Sequence, residues 1–267
     1  MRLTKHHGLG NDFLVLLDVA GDRPATESLA RAVCDRHRGI GADGLLRVGP
    51  GRDGAPISME LRNADGGRAE MSGNGIACLV QAALLARLVI APTVVVATEA
   101  GLRTVRVQPS AEPRTHQMTV DMGEAKIGDE EPWWAEGDVL RAVRVDVGNP
   151  HLVLHVASLE PDVDLVKLGA EVNELVPGGL NVELVAAGPG AAELTMQVYE
   201  RGVGLTEACG TGAVAVAVAA HAWDLAPERV TVHQPGGDVD VAVDPATGAV
   251  ELSVPVVHIA TVDWPDA

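Results

Sequence analysis

The chain has 267 residues, 47% of them hydrophobic and 21% charged, with a formal net charge of −17. That charge excludes the broad basic face of a nucleic-acid or anionic-membrane binder, and one Phe and one Tyr leave few rings for base stacking. It leaves room for a small anionic substrate, because clustered N–H donors and one Arg outweigh a distant acidic surface.

The N-terminal "MRLTKHHGLGNDF" contains no apolar segment that could serve as a signal peptide. His6-His7 is the one adjacent pair among scattered histidines, and no HExxH occurs. "GNDFLVL" (Gly10 to Leu16) is followed by "LARAVCDRHRG", where Cys34 reads as a core residue. Three cysteines without a CxxC or zinc spacing point to reduced thiols and a cytoplasmic protein.

Next comes "EMSGNG" (Glu70 to Gly75), a Gly-rich loop opening the helix "GIACLVQAALLARLVI". That helix is apolar nearly all round and is expected to be buried; Cys78 within it also reads as core. Alternating segments follow, "TVRVQ" and "MTVDM", which fit half-buried antiparallel strands. The polar "GDEEPWWAEGD" (Gly128 to Asp138) reads as a connection between lobes.

The second half repeats the grammar. "GNPHLVL" (Gly148 to Leu154) precedes the strand "ELTMQVYE", then "EACGTG" (Glu207 to Gly212) opens the apolar helix "GAVAVAVAAHAW". Its run Ala213 to Ala220 is too short to span a bilayer. "RVTVHQ" and "DVDVAV" are strands, and "QPGGD" and "DPATG" are turns. Three anchors recur in order, at separations of 138 (Gly10 and Gly148), 137 (Ser72 and Cys209) and 136 residues (Val94 and Val230). An internal duplication explains them. The expected fold is α/β (α+β), with two pseudo-symmetric lobes, each a mainly antiparallel curved sheet around a central buried helix. The lobes span 1–124 and 125–267, with the last strand able to return to the first lobe.

Ser72 and Cys209 stand at matching helix starts. Such ends carry unpaired N–H groups and partial positive charge, so they dock carboxylates. A thiol there is expected to ionise more readily, falling from about 8.5 toward roughly 3.5–7.5. If a pseudo-two-fold relates the lobes, the two groups face each other across a cleft. One then removes a proton from a carbon and the other delivers one to the opposite face. Capping by Ser and burial of Cys are the ordinary alternatives; the matched pair weighs against them.

At these residues the chain resembles the diaminopimelate epimerases. "KHHGLGNDF", "DRHRGIGADGLL", "RNADGGRAEMSGNG", "VDMGEA", "GNPH", "NVEL", "YERGVGLTEACGTGA" and "HQPGGDV" carry the resemblance over essentially the full length. It implies two pseudo-symmetric lobes, a homodimer, and interconversion of LL- and meso-2,6-diaminopimelate without metal or pyridoxal phosphate. Carried over by position, Cys209 matches one catalytic thiol and Ser72 stands where the other belongs. Gly73-Asn74 and Gly210-Thr211 match the donors that hold the reacting carboxylate. Asn11 matches a residue near the reacting amino group. Asn63, Asn149, Asn181, Glu200 and Arg201 match the group that reads the distant amino-acid centre, where an Arg fork suits a carboxylate and Glu200 an ammonium. His151 follows "GNP" and is a candidate for orienting the active loop.

Three departures stand out: Ser72 for a thiol, Ala77 for the usual Arg, and Leu205 for the usual Glu. Ser72 is compatible with an altered epimerase, with a hydroxyl activated by a spatial neighbour, or with one-base chemistry such as elimination. A racemase or lyase for another amino acid and a catalytically silent binding protein are the alternative readings.

Overall fold

The computed structural model describes residues 1–69, 71–134, 137–159 and 163–265. The chain forms two compact units, Met1–Asp121 with the C-terminal segment from Ser253, and Met122–Leu252. The first contains β1 (Arg2–Gly8), β2 (Asn11–Leu17), α1 (Glu27–Cys34), β3 (Gly44–Pro50), β4 (Ile57–Asn63), β5 (Arg68–Ala69), α2 (Gly73–Leu85), β6 (Thr93–Thr98), β7 (Gly101–Pro109) and β8 (Thr115–Glu124), which runs on into the second unit. The second contains β9 (Lys126–Glu130), β10 (Val139–Asp146), β11 (Pro150–Val156), α3 (Leu165–Leu175), β12 (Asn181–Ala187), β13 (Glu193–Glu200), β14 (Gly204–Thr206), α4 (Gly210–Ala222), β15 (Arg229–Gln234) and β16 (Gly237–Val243). The long β17 (Ala249–Asp263) starts in the second unit and ends in the first.

Both units follow one connection scheme. In the first, β1–β2 is an antiparallel hairpin, α1 carries the chain to a parallel β2–β3 pair, β4 returns antiparallel, and α2 leads to a parallel β4–β6 pair. β7 and β8 continue antiparallel, and β17 lies between β8 and β1, closing the strands into a barrel. The second unit repeats this with β10–β11, a parallel β11–β12 pair across α3, β12–β13, and a parallel β13–β15 pair across α4. The fold class read from the sequence is therefore the one observed. β9 takes in the start of the polar stretch beginning at Gly128 and pairs with β10; residues 135 and 136 of that stretch lie outside the described residues.

The burial pattern follows from the layers. α2 packs against β1, β2, β3, β4 and β7 from inside, and α1 covers β3 and β4 from outside. β2 and β3 are thus covered on both faces, and their residues are buried in unbroken runs, as in sheets with helices on either side. A cluster of Leu3, Leu14, Val33, Cys34 and Leu45 fills the outer layer; Leu152, Leu154, Leu165, Val172 and Val182 do so in the second unit. β8, β13, β15 and β16 instead alternate, with one face in the core. α2 and α4 open with Gly-rich sequence of poor helix propensity. They are held by burial, Gly73 to Ala83 in one and Gly210 to Ala220 in the other.

Candidate active site

Each central helix begins where a short strand hands over to a Gly-rich turn, β5 before α2 and β14 before α4. Ser72 is the N-cap of α2, in extended conformation (φ −149°, ψ 121°), and its Oγ accepts from the Gly75 N–H at 3.0 Å. Cys209 is the N-cap of α4 (φ −133°, ψ 113°), and its Sγ accepts from the Gly212 N–H at 3.4 Å. In each helix the first backbone bond returns to the cap carbonyl, from Ile76 and from Ala213. The N–H groups of Gly73, Asn74, Gly210 and Thr211 come before it and have no intrahelical acceptor. Two aligned donors at a helix start make a carboxylate cradle.

Each duplicated Gly-Asn turn delivers an amide to the same helix start. In the first unit Asn74 Nδ2 donates to Asn11 Oδ1 at 3.3 Å. In the second Asn149 Nδ2 donates to Thr211 Oγ1 at 3.3 Å, and that hydroxyl lies 3.5 Å from Cys209 Sγ. Asn63 ends β4 opposite Gly44, which pairs in turn with Phe13 on β2, so it shares the strand ends that carry Asn11. Asn181 begins β12 beside His151; its Nδ2 donates to the Pro150 carbonyl and its Oδ1 accepts the Arg201 N–H at 3.0 Å. Arg201 gives one Nη1 bond to the Gly178 carbonyl at 2.9 Å, and Glu200 Oε1 accepts from the Thr206 hydroxyl at 2.6 Å. Asn11, Asn63, Ser72, Gly73 and Asn74 thus belong to the first unit. Asn149, Asn181, Glu200, Arg201, Cys209, Gly210 and Thr211 belong to the second.

The charge state of Cys209 corrects the expectation of a readily ionised thiol. Burial pushes its pKa well above the ordinary value, and the Glu200 and Glu183 charges push the same way. Hydrogen bonds from Thr211 and the Gly212 N–H act in the opposite direction and do not prevail. A helix start lowers a thiol's pKa when solvent or a cation shares the site. Here the side chain is among apolar atoms near two carboxylates, so the free protein holds a neutral thiol. Cys34 and Cys78 are buried core residues, as read, and burial pushes the Cys34 thiol up to about 12.

Three polar residues escaped the sequence reading. Glu183, fully buried in β12, hydrogen-bonds His151 Nδ1 at 2.7 Å, and His151 Nε2 lies 3.0 Å from Asn149 Oδ1. Gln234 at the end of β15 accepts the Cys209 N–H at 2.7 Å. Asp43, before β3, accepts from Asn11 Nδ2 at 2.9 Å. The only signal was a carboxylate or amide set in an apolar run, as in "NVEL". Ala77 is fully buried in α2, and Leu205 is exposed on β14. Among the described residues no group of three or more His, Cys, Asp or Glu side chains could hold a metal ion.

Comparison with known proteins agrees with this architecture. The family model for diaminopimelate epimerase matches residues 3–128 and 143–257. A diaminopimelate epimerase of Thermobifida fusca is 39% identical over 98% of this chain and 97% of its own length. That of Mycobacterium ulcerans is 41% identical over 92% of this chain and 91% of its own. A crystal structure of a hydroxyproline epimerase from Agrobacterium vitis, with bound trans-4-hydroxy-L-proline, shares the fold: TM-score 0.73 at 18% identity, covering 98% of this chain and 90% of that one. With both halves of the sequence matched and the helix-start motifs in equivalent places, the chain belongs to the diaminopimelate epimerase family of isomerases.

Proposed function

We propose that the protein interconverts LL- and meso-2,6-diaminopimelate by proton transfer at the α carbon, without metal or pyridoxal phosphate, as a cytoplasmic homodimer supplying lysine and peptidoglycan precursors. The observation that carries this reading is the repetition at both helix starts of one assembly: an N-cap proton carrier, two backbone donors and an amide from the Gly-Asn turn. The donors of Gly73, Asn74, Gly210 and Thr211 bind the reacting carboxylate and take up the negative charge that develops on it as the α proton leaves. Asn11 binds at the reacting amino group. Asn63, Asn149, Asn181, Glu200 and Arg201 read the distal centre, the Arg fork taking its carboxylate and Glu200 its ammonium.

Cys209 and Ser72 handle the protons. Glu200 is one of the charges that keeps the Cys209 thiol neutral. A substrate ammonium paired with Glu200 offsets that charge, so binding itself favours the thiolate that acts as base. Ser72 is weaker. Its oxygen accepts from the Gly75 N–H, and no side-chain base of the first unit hydrogen-bonds to it among the described residues. Losing one acid–base group costs about 10²–10⁴-fold.

The two isomers should therefore behave unequally in heavy water. The one whose α proton meets Cys209 exchanges faster than it inverts, and the one that depends on Ser72 exchanges slowly. Ser72→Cys is expected to raise inversion by about 10²–10⁴-fold, and Cys209→Ser to stop exchange from the isomer whose α proton meets Cys209, leaving only the slow exchange of the other. Chiral separation with mass analysis reads both. Equal exchange with inversion from the two isomers would rule out the weak-serine account, and no exchange from either would leave a binding protein. Sedimentation of the full chain tests the dimer.

A further inference from the structure

The equivalent amides Asn11 and Asn149 are oriented by different partners. In the second unit Asn149 lies between His151 and Thr211, and the chain of contacts ends on the Cys209 sulfur. In the first unit the partner is a carboxylate. Asp43 Oδ2 accepts from Asn11 Nδ2 and from the Asp12 N–H, both at 2.9 Å, and Asp43 Oδ1 accepts from Arg36 Nη2 at 2.7 Å. Arg36 also reaches Asp12 Oδ1 at 2.8 Å, and Lys5 sits 2.8 Å from Asp12 Oδ2. Two cations and two carboxylates neutralise one another, so this cluster acts on its surroundings through hydrogen-bond polarity rather than net charge.

An ionised carboxylate only accepts. Asp43 therefore fixes which end of the Asn11 amide is nitrogen, leaving Oδ1 at the other end. That oxygen takes Asn74 Nδ2 and so fixes the second amide in turn. The relay ends at Asn74 Oδ1, which is buried, in a residue 1% exposed, with no hydrogen-bond partner among the described residues. Buried acceptors without a partner are rare, and this one belongs to the helix start that carries Ser72.

We infer that Asp43 is a positioning residue: through the Asn11–Asn74 relay it presents Asn74 Oδ1 as the acceptor for the ammonium on the substrate's reacting carbon. The inference deepens the epimerase reading and rests on it. Calorimetry on the full chain tests it with meso-diaminopimelate and L-2-aminopimelate, whose single ammonium can occupy the distal end and leave the reacting end without one. The wild type should prefer diaminopimelate by about ten-fold or more. In Asp43→Asn the amides lose their imposed direction, so diaminopimelate should weaken toward 2-aminopimelate while the latter stays unchanged. A folded Asp43→Asn protein that keeps the wild-type ratio overturns the inference. Should that variant fail to fold, Asn74→Thr removes the terminal carbonyl and should collapse the same ratio; an unchanged ratio again overturns it. A wild type that exchanges diaminopimelate protons yet shows no preference overturns this inference alone. One that neither binds nor exchanges diaminopimelate overturns the substrate reading, and this with it.

Discussion

His6 shows how a buried side chain sets a pH limit. It is fully buried in β1, with Nδ1 2.7 Å from Gln81 Oε1 and Nε2 2.9 Å from Thr4 Oγ1. Burial pulls its pKa down to about 4; the Gln81 bond opposes this, and the neighbouring His258 and His7 add to it. The folded state then binds the proton less readily than the unfolded chain, whose histidine titrates near 6.5. The stability this provides is complete above about pH 6.5 and is lost as pH falls toward 4. The full loss is roughly 3 kcal/mol, from about 1.4 kcal/mol per pH unit. His6→Gln should be less stable at pH 7 and should lose less stability between pH 6.5 and 4, read from urea midpoints. Identical pH slopes in the two proteins would show that His6 is not the group responsible.

Helix α3 poses a question of sign at Gly169. Ala in place of Gly inside a helix normally stabilises by about 1 kcal/mol. A Cβ at Gly169, however, would meet the Tyr199 ring and come within 2.8 Å of its Cβ. Overpacking of that kind costs typically 1–3 kcal/mol, and Tyr199 lies in β13 with Glu200 and Arg201 following it. The clash should win: Gly169→Ala is expected to lower stability by about 1–2 kcal/mol and to weaken diaminopimelate binding by displacing Arg201. A more stable variant with unchanged affinity would mean that α3 shifts freely over the sheet. The outer helices α1 and α3 were not legible in the sequence. Their amphipathic runs are short, and the run "LARAVCDRHRG" around Cys34 is as compatible with a loop. The inner helices were legible because a helix with no polar face can only be buried.

The chain path makes the first unit depend on its last strand. β17 pairs with β1 from Arg2–Asp263 to Gly8–Val256, and Gln81 Nε2 donates to the Val256 carbonyl at 2.9 Å. Ending the chain at Leu252 removes this strand from the first unit and opens an edge on β1 and β8. Hydrogen exchange should then lose protection in β1 and β8 while β10, β11 and β12 keep theirs, since the second unit retains its own parallel pairs and core. Uniform loss of protection in both units would show that they unfold as one.

The sequence by itself determined the duplication, the two buried helices, the alternating strands and the helix-start residues. Each of these is local: a repeated phrase, a hydrophobic period, or a cap with glycines behind it, and each is legible without knowing what lies across the fold. Tertiary structure alone decided how the polar groups behave. Burial beside Glu200 and Glu183 turns a thiol that a helix start should ionise into a neutral one. Parallel pairing of β2 with β3 brings Asp43 to Asn11, 32 residues away in sequence. Desolvation and hydrogen-bond direction depend on which atoms surround a group, and those atoms come from distant parts of the chain.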